Sequence, residues 1–197
     1  MNEHIFKQYD TELESVRAKV LQMGGLVEEQ IINALEALVT ANPKIAAEVM
    51  EADLKVNALE VQVDEDCSHI IARRQPAAGD LRMIMMVVKT ITDLERIGDE
   101  ATKIARVAQK IYESDRLYKP RFTEIKSMVA LVREMLRTAL DAFARLDSSK
   151  TADVARQDEQ VDEQFRSAMR QLITFMLEDP RTISNSLEIL FVAKSLE

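Results

Sequence analysis

Apolar residues recur at intervals of three or four positions along almost the whole chain. In the first segment this spacing links Val16, Val20, Met23, Val27 and Ile31. Residues spaced in this way lie on one face of an α-helix, which completes a turn every 3.6 residues. The 197 residues include only 4 Gly and 4 Pro, too few for the many tight turns of a β-rich fold. We therefore predict an all-α protein.

Polar and proline-containing breaks divide the chain into six predicted helices. They include Asn42-Pro43, Gln75-Pro76, Asp179-Pro180 and a polar linker over residues 113–120. The linker is the predicted domain boundary. Because short connections favour antiparallel neighbours, we predict two three-helix bundles, over residues 1–113 and 121–197. Gly24-Gly25 lies inside the first helix and predicts either a kink or close packing of a neighbouring backbone.

The two predicted bundles share a short internal repeat. The stretch from Asp53 to Asn57 resembles the stretch from Asp158 to Asp162, 105 positions later, with an acid after a core position in both. This correspondence predicts a duplicated unit and hence two pseudo-symmetric halves. The same periodicity makes Leu81 a predicted core residue at the start of the third helix, and Ile183 and Leu187 predicted core residues in the sixth.

Charge and cysteine content limit the classes of function. The chain has 26 Lys and Arg against 34 Asp and Glu, a net charge of −8, which disfavours nucleic-acid binding because phosphate affinity comes from cationic side chains. Cys67 is the single cysteine, which excludes an intramolecular disulfide and suits a reducing compartment. The sequence shows no N-terminal leader pattern and no window of about 18 uncharged apolar residues. We predict a soluble, cytoplasmic protein that does not insert into membranes.

An oxygen-rich ridge follows the second predicted helix. Asp53, Asn57, Glu60 and Asp64 repeat at the 4-3-4 spacing of the adjacent core stripe, about 100° around the helix from it. A solvated helix face explains most acids of this kind. The regular spacing beside the core makes this ridge a candidate binding surface.

Glu95 and Asp99 form a second acidic pair, one turn apart on the third helix. Continuing the apolar series through Val88 and Ile91, the next core position is Glu95, so an acid occupies a predicted core slot. Like charges at i and i+4 repel and need a compensating cation. The spacing leaves open whether that cation is a lysine, an arginine or a metal ion.

The second half offers a similar set of acids. Asp158 and Asp162 stand at i and i+4 on the fifth helix, and Glu197 falls seven residues beyond the core residue Leu190. Facing helices that each offer oxygen pairs can enclose a multivalent cation. Metal sites and interhelical ion-pair networks both remain open. No nucleophile-base set, phosphate-binding Gly-rich loop or Cys/His zinc cluster occurs, so we predict that the protein is not an enzyme.

Five stretches of the chain resemble the signatures of the PhoU family, the accessory proteins of bacterial phosphate-specific transport. They are residues 23–28, 72–82, 93–101, 140–145 and 176–183. Their order is preserved over nearly the whole chain. The resemblance implies two pseudo-symmetric three-helix bundles. In the family a second Arg-Ile-Gly-Asp stretch and a terminal helix follow the position of Glu197, so the last helix of the second bundle is expected to be truncated here.

The resemblance also implies multinuclear iron or zinc clusters at E/D-x-x-x-D motifs on the bundle surfaces. Other divalent metals, namely Mg, Mn and Ca, are further candidates. The ligands carried over by position are Asp53, Asn57, Glu95 and Asp99 for the first cluster, Glu60 and Asp64 as its outer members, and Asp158, Asp162 and Glu197 for the second cluster.

By resemblance, the protein is expected to be a negative regulator of the phosphate-starvation response and a modulator of phosphate uptake. Such a regulator acts as an adaptor between the ATPase subunit of the phosphate ABC transporter and a PhoR-type sensor histidine kinase, and it is expected to form a homodimer. Arg74, Asp80, Arg82 and Arg96 are candidate contacts for phosphate or for a partner.

Two alternative functions are open at this point. A ferritin-like di-iron enzyme is also an acidic helical bundle, but it uses Glu-x-x-His on two helices, and the nearest match here is a single Asp66-x-x-His69. A metal-free helical scaffold would use its acid pairs only in salt bridges.

Overall fold

The computed structural model describes residues 2–113 and 122–197, with side chains from residue 8 to residue 111 and from residue 122 onward. Within these ranges the chain forms six α-helices, two single turns of 3-10 helix and no β-strand. The prediction of an all-α fold is confirmed. The helices are α1 (Asn2–Thr40), α2 (Pro43–Arg74), α3 (Ala78–Glu113), α4 (Thr123–Arg145), α5 (Thr151–Glu178) and α6 (Ile183–Leu196).

The predicted breaks end helices for local chemical reasons. Asn42 caps α2, because its side-chain oxygen accepts a hydrogen bond from the backbone N–H of Lys44 at 3.0 Å, and Pro43 fills the first turn, where no N–H is needed. At the other end, Gln75 adopts a left-handed conformation with φ 48°. Its N–H bonds to the carbonyl of Ile71 and terminates the helix.

Two groups of three helices pack together. In the first, α1, α2 and α3 contact one another pairwise, and in the second α4, α5 and α6 do the same. Contacts of α1 with α4 and of α3 with α6 join the groups. Residues 114–121 lie outside the described ranges, so the division at the linker into 1–113 and 121–197 stays a prediction. In the part of the chain that the structure describes, no helix is long and apolar enough to cross a membrane.

The core follows the predicted periodicity except near two helix starts. Leu81 is 39% exposed, and Ile183 and Leu187 are each 42% exposed, so their assignment to the core was wrong. The first turns of α3 bury no side chain before Ile84, whereas the first turns of α6 bury Asn185 and Ser186 on another face of the helix. The core of α3 starts at Ile84, and that of α6 uses Ile189, Val192, Ala193 and Leu196.

A close approach of α1 and α4 joins the two halves. Gly24 is buried, and a Cβ atom at this position would lie 2.6 Å from both Cδ atoms of Leu140. One turn along α1, the Glu28 carboxylate accepts hydrogen bonds from Arg137 at 2.6 Å and Arg133 at 3.1 Å. The bond from Arg137 is the largest influence that holds the pKa of Glu28 below its usual range. Close packing is seen at Gly24, against the side chain of Leu140 and not against a neighbouring backbone as predicted, and nothing packs against Gly25.

We expect Gly24→Ala to lower the stability of the protein although alanine favours helix. The added methyl group overlaps Leu140, and overpacking of this kind costs about 1–3 kcal/mol, against about 1 kcal/mol gained in helix propensity. Urea unfolding measures the difference.

Gly25→Ala is the matched control for this prediction, because no atom lies within 4 Å of a Cβ added there. That variant is expected to be more stable than the parent. The double variant Gly24→Ala, Leu140→Ala should recover part of the loss through coupling between the two sites. Equal stabilisation by both glycine substitutions would contradict a tight contact between α1 and α4.

Candidate functional site

The first predicted acidic cluster lies where α2 and α3 run side by side over α1. Asp53 projects from α2 beside Gly98 of α3 and Gln30 of α1. Gly98 is buried, and a Cβ atom on it would lie 3.0 Å from Gln30 Oε1 and 3.4 Å from Asp53 Oδ1. The glycine therefore allows α3 to approach both polar side chains closely.

Asp53 lies between two carboxamides. The Gln30 Nε2 group donates to Asp53 Oδ1 at 3.4 Å and to the carbonyl of Val49 at 3.4 Å. On the other side, Asn57 Nδ2 donates to Asp53 Oδ2 at 3.5 Å. These contacts are long, so they orient the carboxylate weakly. The oxygens of both carboxamides, Gln30 Oε1 and Asn57 Oδ1, are buried and accept no hydrogen bond from the residues described.

Glu95 faces the same groove from α3. Burial raises its pKa, and the neighbouring carboxylates of Asp99, Glu60 and Asp53 raise it further, while Arg96 acts in the opposite direction. Glu95 is half-buried, between the buried residues Leu94 and Gly98. It therefore lies at the edge of the core stripe, and its assignment to a core slot was wrong. The buried stripe of α3 runs at three- and four-residue intervals through Ile84, Val87, Ile91, Leu94 and Gly98, one position before Val88 and Glu95 of the predicted series.

The acids of the first cluster have no cationic partner among the described side chains. No lysine or arginine there forms an ion pair with Asp53, Glu60, Glu95 or Asp99. Two neighbouring cations on α3 pair with other acids: Lys103 pairs with Glu100 at 2.6 Å, and Arg96 is 76% exposed and lies 3.9 Å from Asp93. Glu60 accepts only a long hydrogen bond of 3.4 Å from Thr92 Oγ1. Asp64, the last residue of the ridge, is exposed.

The donor atoms at this cluster are all oxygens. Carboxylate and carboxamide oxygens suit hard divalent cations such as Mg²⁺, Mn²⁺ and Fe²⁺, whereas structural zinc favours sulfur and nitrogen. Among the side chains of residues 8–111 and 122–197, no three of His, Cys, Asp or Glu lie close enough to hold one metal ion together. In chemical type the cluster fits a hard cation, and its unpartnered carboxamide oxygens are available as further ligands.

The second predicted cluster is arranged differently. Asp158 and Glu197 line one cavity of about 690 Å³ between the two helix groups, together with Asp93 and Arg96. Glu197 pairs with Lys194 at 2.6 Å. Asp162 pairs with Arg166 at 3.0 Å, on its own helix. The structure thus brings two of the three acids together, and cationic side chains engage two of the three, so this cluster does not fit a metal ion in its present arrangement.

The candidate contacts for phosphate or a partner are not gathered in one place. Arg74 binds Glu12 through two hydrogen bonds of 3.0 and 2.7 Å. Asp80 accepts a hydrogen bond from the Tyr9 hydroxyl at 3.0 Å, and burial together with this carboxylate raises the pKa of Tyr9 to about 12. Arg82 is exposed on α3. Two of the four side chains, Arg74 and Asp80, therefore serve contacts between α1 and its neighbours.

The pair from which a di-iron site could be built is also engaged elsewhere. Asp66 forms an ion pair with Lys19 at 2.6 Å, and His69 is exposed. Both residues line a cavity of about 430 Å³ between α1 and α2. This arrangement contains nothing that resembles paired Glu-x-x-His ligands.

Sequence reasoning missed Gln30. Its spacing carries a signal, because Val20, Met23, Val27 and Ala34 continue through residue 30 at three- and four-residue intervals. A glutamine at a predicted core position is unusual, since buried polar side chains need partners. The candidate ligands were sought on the second, third, fifth and sixth helices, so the amide on the first helix was overlooked.

Comparison with known proteins identifies the family. The PhoU domain matches residues 20–108 and 125–197. The chain is 46% identical over 198 residues to the "Phosphate-specific transport system accessory protein PhoU homolog" of Pseudomonas putida, covering 100% of this chain and 77% of the relative. It is 43% identical over 197 residues to the corresponding PhoU protein of Escherichia coli strain K12, covering 100% and 81%.

Solved structures agree with the sequence comparison. The crystal structure of PhoU from Pseudomonas aeruginosa superposes with a TM-score of 0.90 at 46% identity, over 95% of this chain and 90% of that one. The phosphate transport system regulatory protein PhoU from Streptococcus pneumoniae gives a TM-score of 0.86 at 26% identity, over 96% and 88%. The family resemblance expected from the five signature stretches is confirmed, and the chain belongs to the PhoU family.

Proposed function

We propose that this chain regulates phosphate transport, as a negative regulator of the phosphate-starvation response and a modulator of phosphate uptake. The observation that carries the proposal is similarity along the whole chain, 46% over 198 residues, to a protein named as an accessory of phosphate-specific transport. The relatives are named accessory or regulatory proteins, and none of these names describes an enzyme. A cytoplasmic location follows from the same proposal.

The proposed mode of action is that of an adaptor between two partners. These are the ATPase subunit of the phosphate ABC transporter and a PhoR-type sensor histidine kinase. An adaptor changes its partners' conformational equilibria only through surfaces that bind one of their states better than the other. Exposed apolar side chains on two helices support this mode, Leu54 and Val61 on α2 and Phe191 on α6. We also propose that the protein forms a homodimer, which would present each of these exposed apolar surfaces twice.

We further propose that the first acidic cluster holds a hard divalent cation. Support comes from four carboxylates without a described cationic partner and from the raised pKa of Glu95. A bound cation would neutralise their mutual repulsion. Iron, manganese and magnesium suit the oxygen donors better than zinc does. Binding at Asp158, Asp162 and Glu197 would first require that Arg166 and Lys194 give up their ion pairs.

The regulatory proposal is tested by co-purification with each partner. Tagged chain, at micromolar concentration, is mixed with the purified ATPase subunit and, separately, with the cytoplasmic part of the kinase. We expect both to be retained, and we expect Phe191→Ser to reduce retention of at least one, because it removes an exposed apolar contact. Retention of neither partner, alone or in the presence of the other, contradicts the adaptor role whatever metal is bound.

We expect Glu95→Gln to stabilise the metal-free protein at neutral pH. The pKa of Glu95 is raised in the folded state. At a pH between the pKa of the unfolded chain and that of the folded protein, the folded protein therefore holds a proton that the unfolded chain has lost, and the free energy of unfolding falls as pH rises through this interval. Because glutamine does not ionise, the variant keeps the stability that the parent protein loses when Glu95 gives up its proton. Like charges at helical spacing cost about 0.5 kcal/mol, so the Tm should rise by roughly 1–2 °C. Thermal unfolding in the presence of a chelator measures the change.

The effect should disappear at a pH below the usual Glu range, where the carboxyl is protonated in both states. Asp93→Asn is the matched control, an exposed acid on the same helix, and should change the Tm little. Added Mn²⁺ should stabilise the parent more than Glu95→Gln, since a ligand of the folded state raises stability. Destabilisation by Glu95→Gln at neutral pH would instead indicate the metal-free scaffold, with its carboxylate satisfied by ion pairs.

A further inference from the structure

Gln30 is the most buried polar side chain of the region where α1, α2 and α3 meet. It is 1% exposed. Its Nε2 group faces two acceptors, Asp53 Oδ1 and the carbonyl of Val49. Its Oε1 atom accepts no hydrogen bond from any described residue.

The orientation of this carboxamide is fixed by its surroundings. Exchanging the amide oxygen and nitrogen would set Oε1 against Asp53 Oδ1 and the Val49 carbonyl, so that three acceptors would meet without a donor. The oxygen must therefore point away from both acceptors. It lies 3.0 Å from the position that a Cβ atom on Gly98 would occupy, and Asp53 Oδ1 lies 3.4 Å from the same position.

A buried acceptor without a partner costs free energy, whereas leucine or methionine would fill the same space without that cost. Asn57 shows the same arrangement on the other side of Asp53, with its amide nitrogen toward the carboxylate and its Oδ1 buried and unpartnered. Two carboxamide oxygens are thus left free beside an acidic cluster. Both are neutral, and both are of the type that hard cations accept alongside carboxylates.

We propose that Gln30 Oε1 is a metal ligand, a neutral oxygen at the inner end of the first cluster beside Asp53, Asn57 and Glu95. The inference rests on the proposed cation at this cluster. It explains how the cluster binds a cation although no three acidic, histidine or cysteine side chains of the described ranges converge. The carboxamides of Gln30 and Asn57 supply the further oxygen ligands that the carboxylates alone do not provide.

The internal repeat identifies the position in the second half that is equivalent to Gln30. The position 105 residues after Gln30 is Met135, which lines the cavity that contains Asp158 and Glu197. A thioether is a poor ligand for a hard cation. We therefore expect a single tight site for such a cation in this chain, in the first half.

Titration with Mn²⁺, followed by calorimetry and by the electron paramagnetic resonance signal of the free ion, tests the proposal on the full chain. We expect one tight site in the parent protein. Gln30→Leu should weaken it roughly tenfold or more and change the Tm of the metal-free protein little, because the loss of two long hydrogen bonds is offset by removal of an unpartnered buried acceptor. Gln30→Glu keeps the oxygen and adds charge, so it should bind Mn²⁺ at least as tightly as the parent. Gln22→Leu, an exposed glutamine of the same helix, is the matched control.

Four results would overturn the assignment. Unchanged Mn²⁺ affinity in Gln30→Leu, with binding lost in Glu95→Gln, would leave the metal proposal standing and remove Gln30 from the ligand set. A lower metal-free Tm with unchanged affinity would indicate a structural role, for instance through a buried water. Weak Mn²⁺ binding by Gln30→Glu would show that the amide nitrogen, and not the oxygen, is needed for binding. If Gln30→Leu does not fold, the Mn²⁺ affinity of Gln30→Glu tests the assignment in its place. Absence of Mn²⁺ binding by the parent would remove both the cation and the ligand, and the co-purification test of the regulatory role would be unaffected.

Discussion

The contact of Gly24 with Leu140 holds the two halves of this molecule in register. With glycine at residue 24 the backbone of α1 approaches α4 until the end of the Leu140 side chain occupies the space that a Cβ atom would need. Glu28 then reaches Arg133 and Arg137 from a half-buried position. With α1 and α4 fixed in this way, α3 and α6 meet on the other side, and the acids of the second half come to line a cavity with residues of α3.

Much of the fold was predictable because it depends on local chemistry. The three- and four-residue periodicity located the helices, and Asn42-Pro43 and Gln75-Pro76 end them through capping and ring geometry that act over a few residues. Leu81, Ile183 and Leu187 were assigned wrongly because periodicity gives the direction of a face and not how completely other helices cover it. At the start of α6 the covered face carries Asn185 and Ser186 instead, so Ile183 and Leu187 remain exposed.

The candidate site was predictable only in part, for a related reason. The acids of α2 and α3 could be found from their spacing, but their protonation and pairing depend on neighbours that are distant in sequence. The partner of Arg74 is Glu12, which is 62 residues away, and Gln30 meets Asp53 only because α1 passes beneath both acidic helices. The buried stripe of α3 follows Ile84, Val87, Ile91 and Leu94, and the predicted series, which used Val88 in place of Val87, therefore placed Glu95 in the core instead of at its edge.

The ion pair between Glu28 and Arg133 joins residues 105 positions apart, which is also the period of the repeat. Equivalent positions of the two halves therefore face each other there. In a symmetric dimer of a single bundle each such residue would meet its own copy, so a glutamate would face a glutamate and repel it. A chain that carries both halves can place opposite charges at that point. The attraction between the halves thus depends on their difference in sequence at these positions, and the same difference places an amide at residue 30 and a methionine at residue 135.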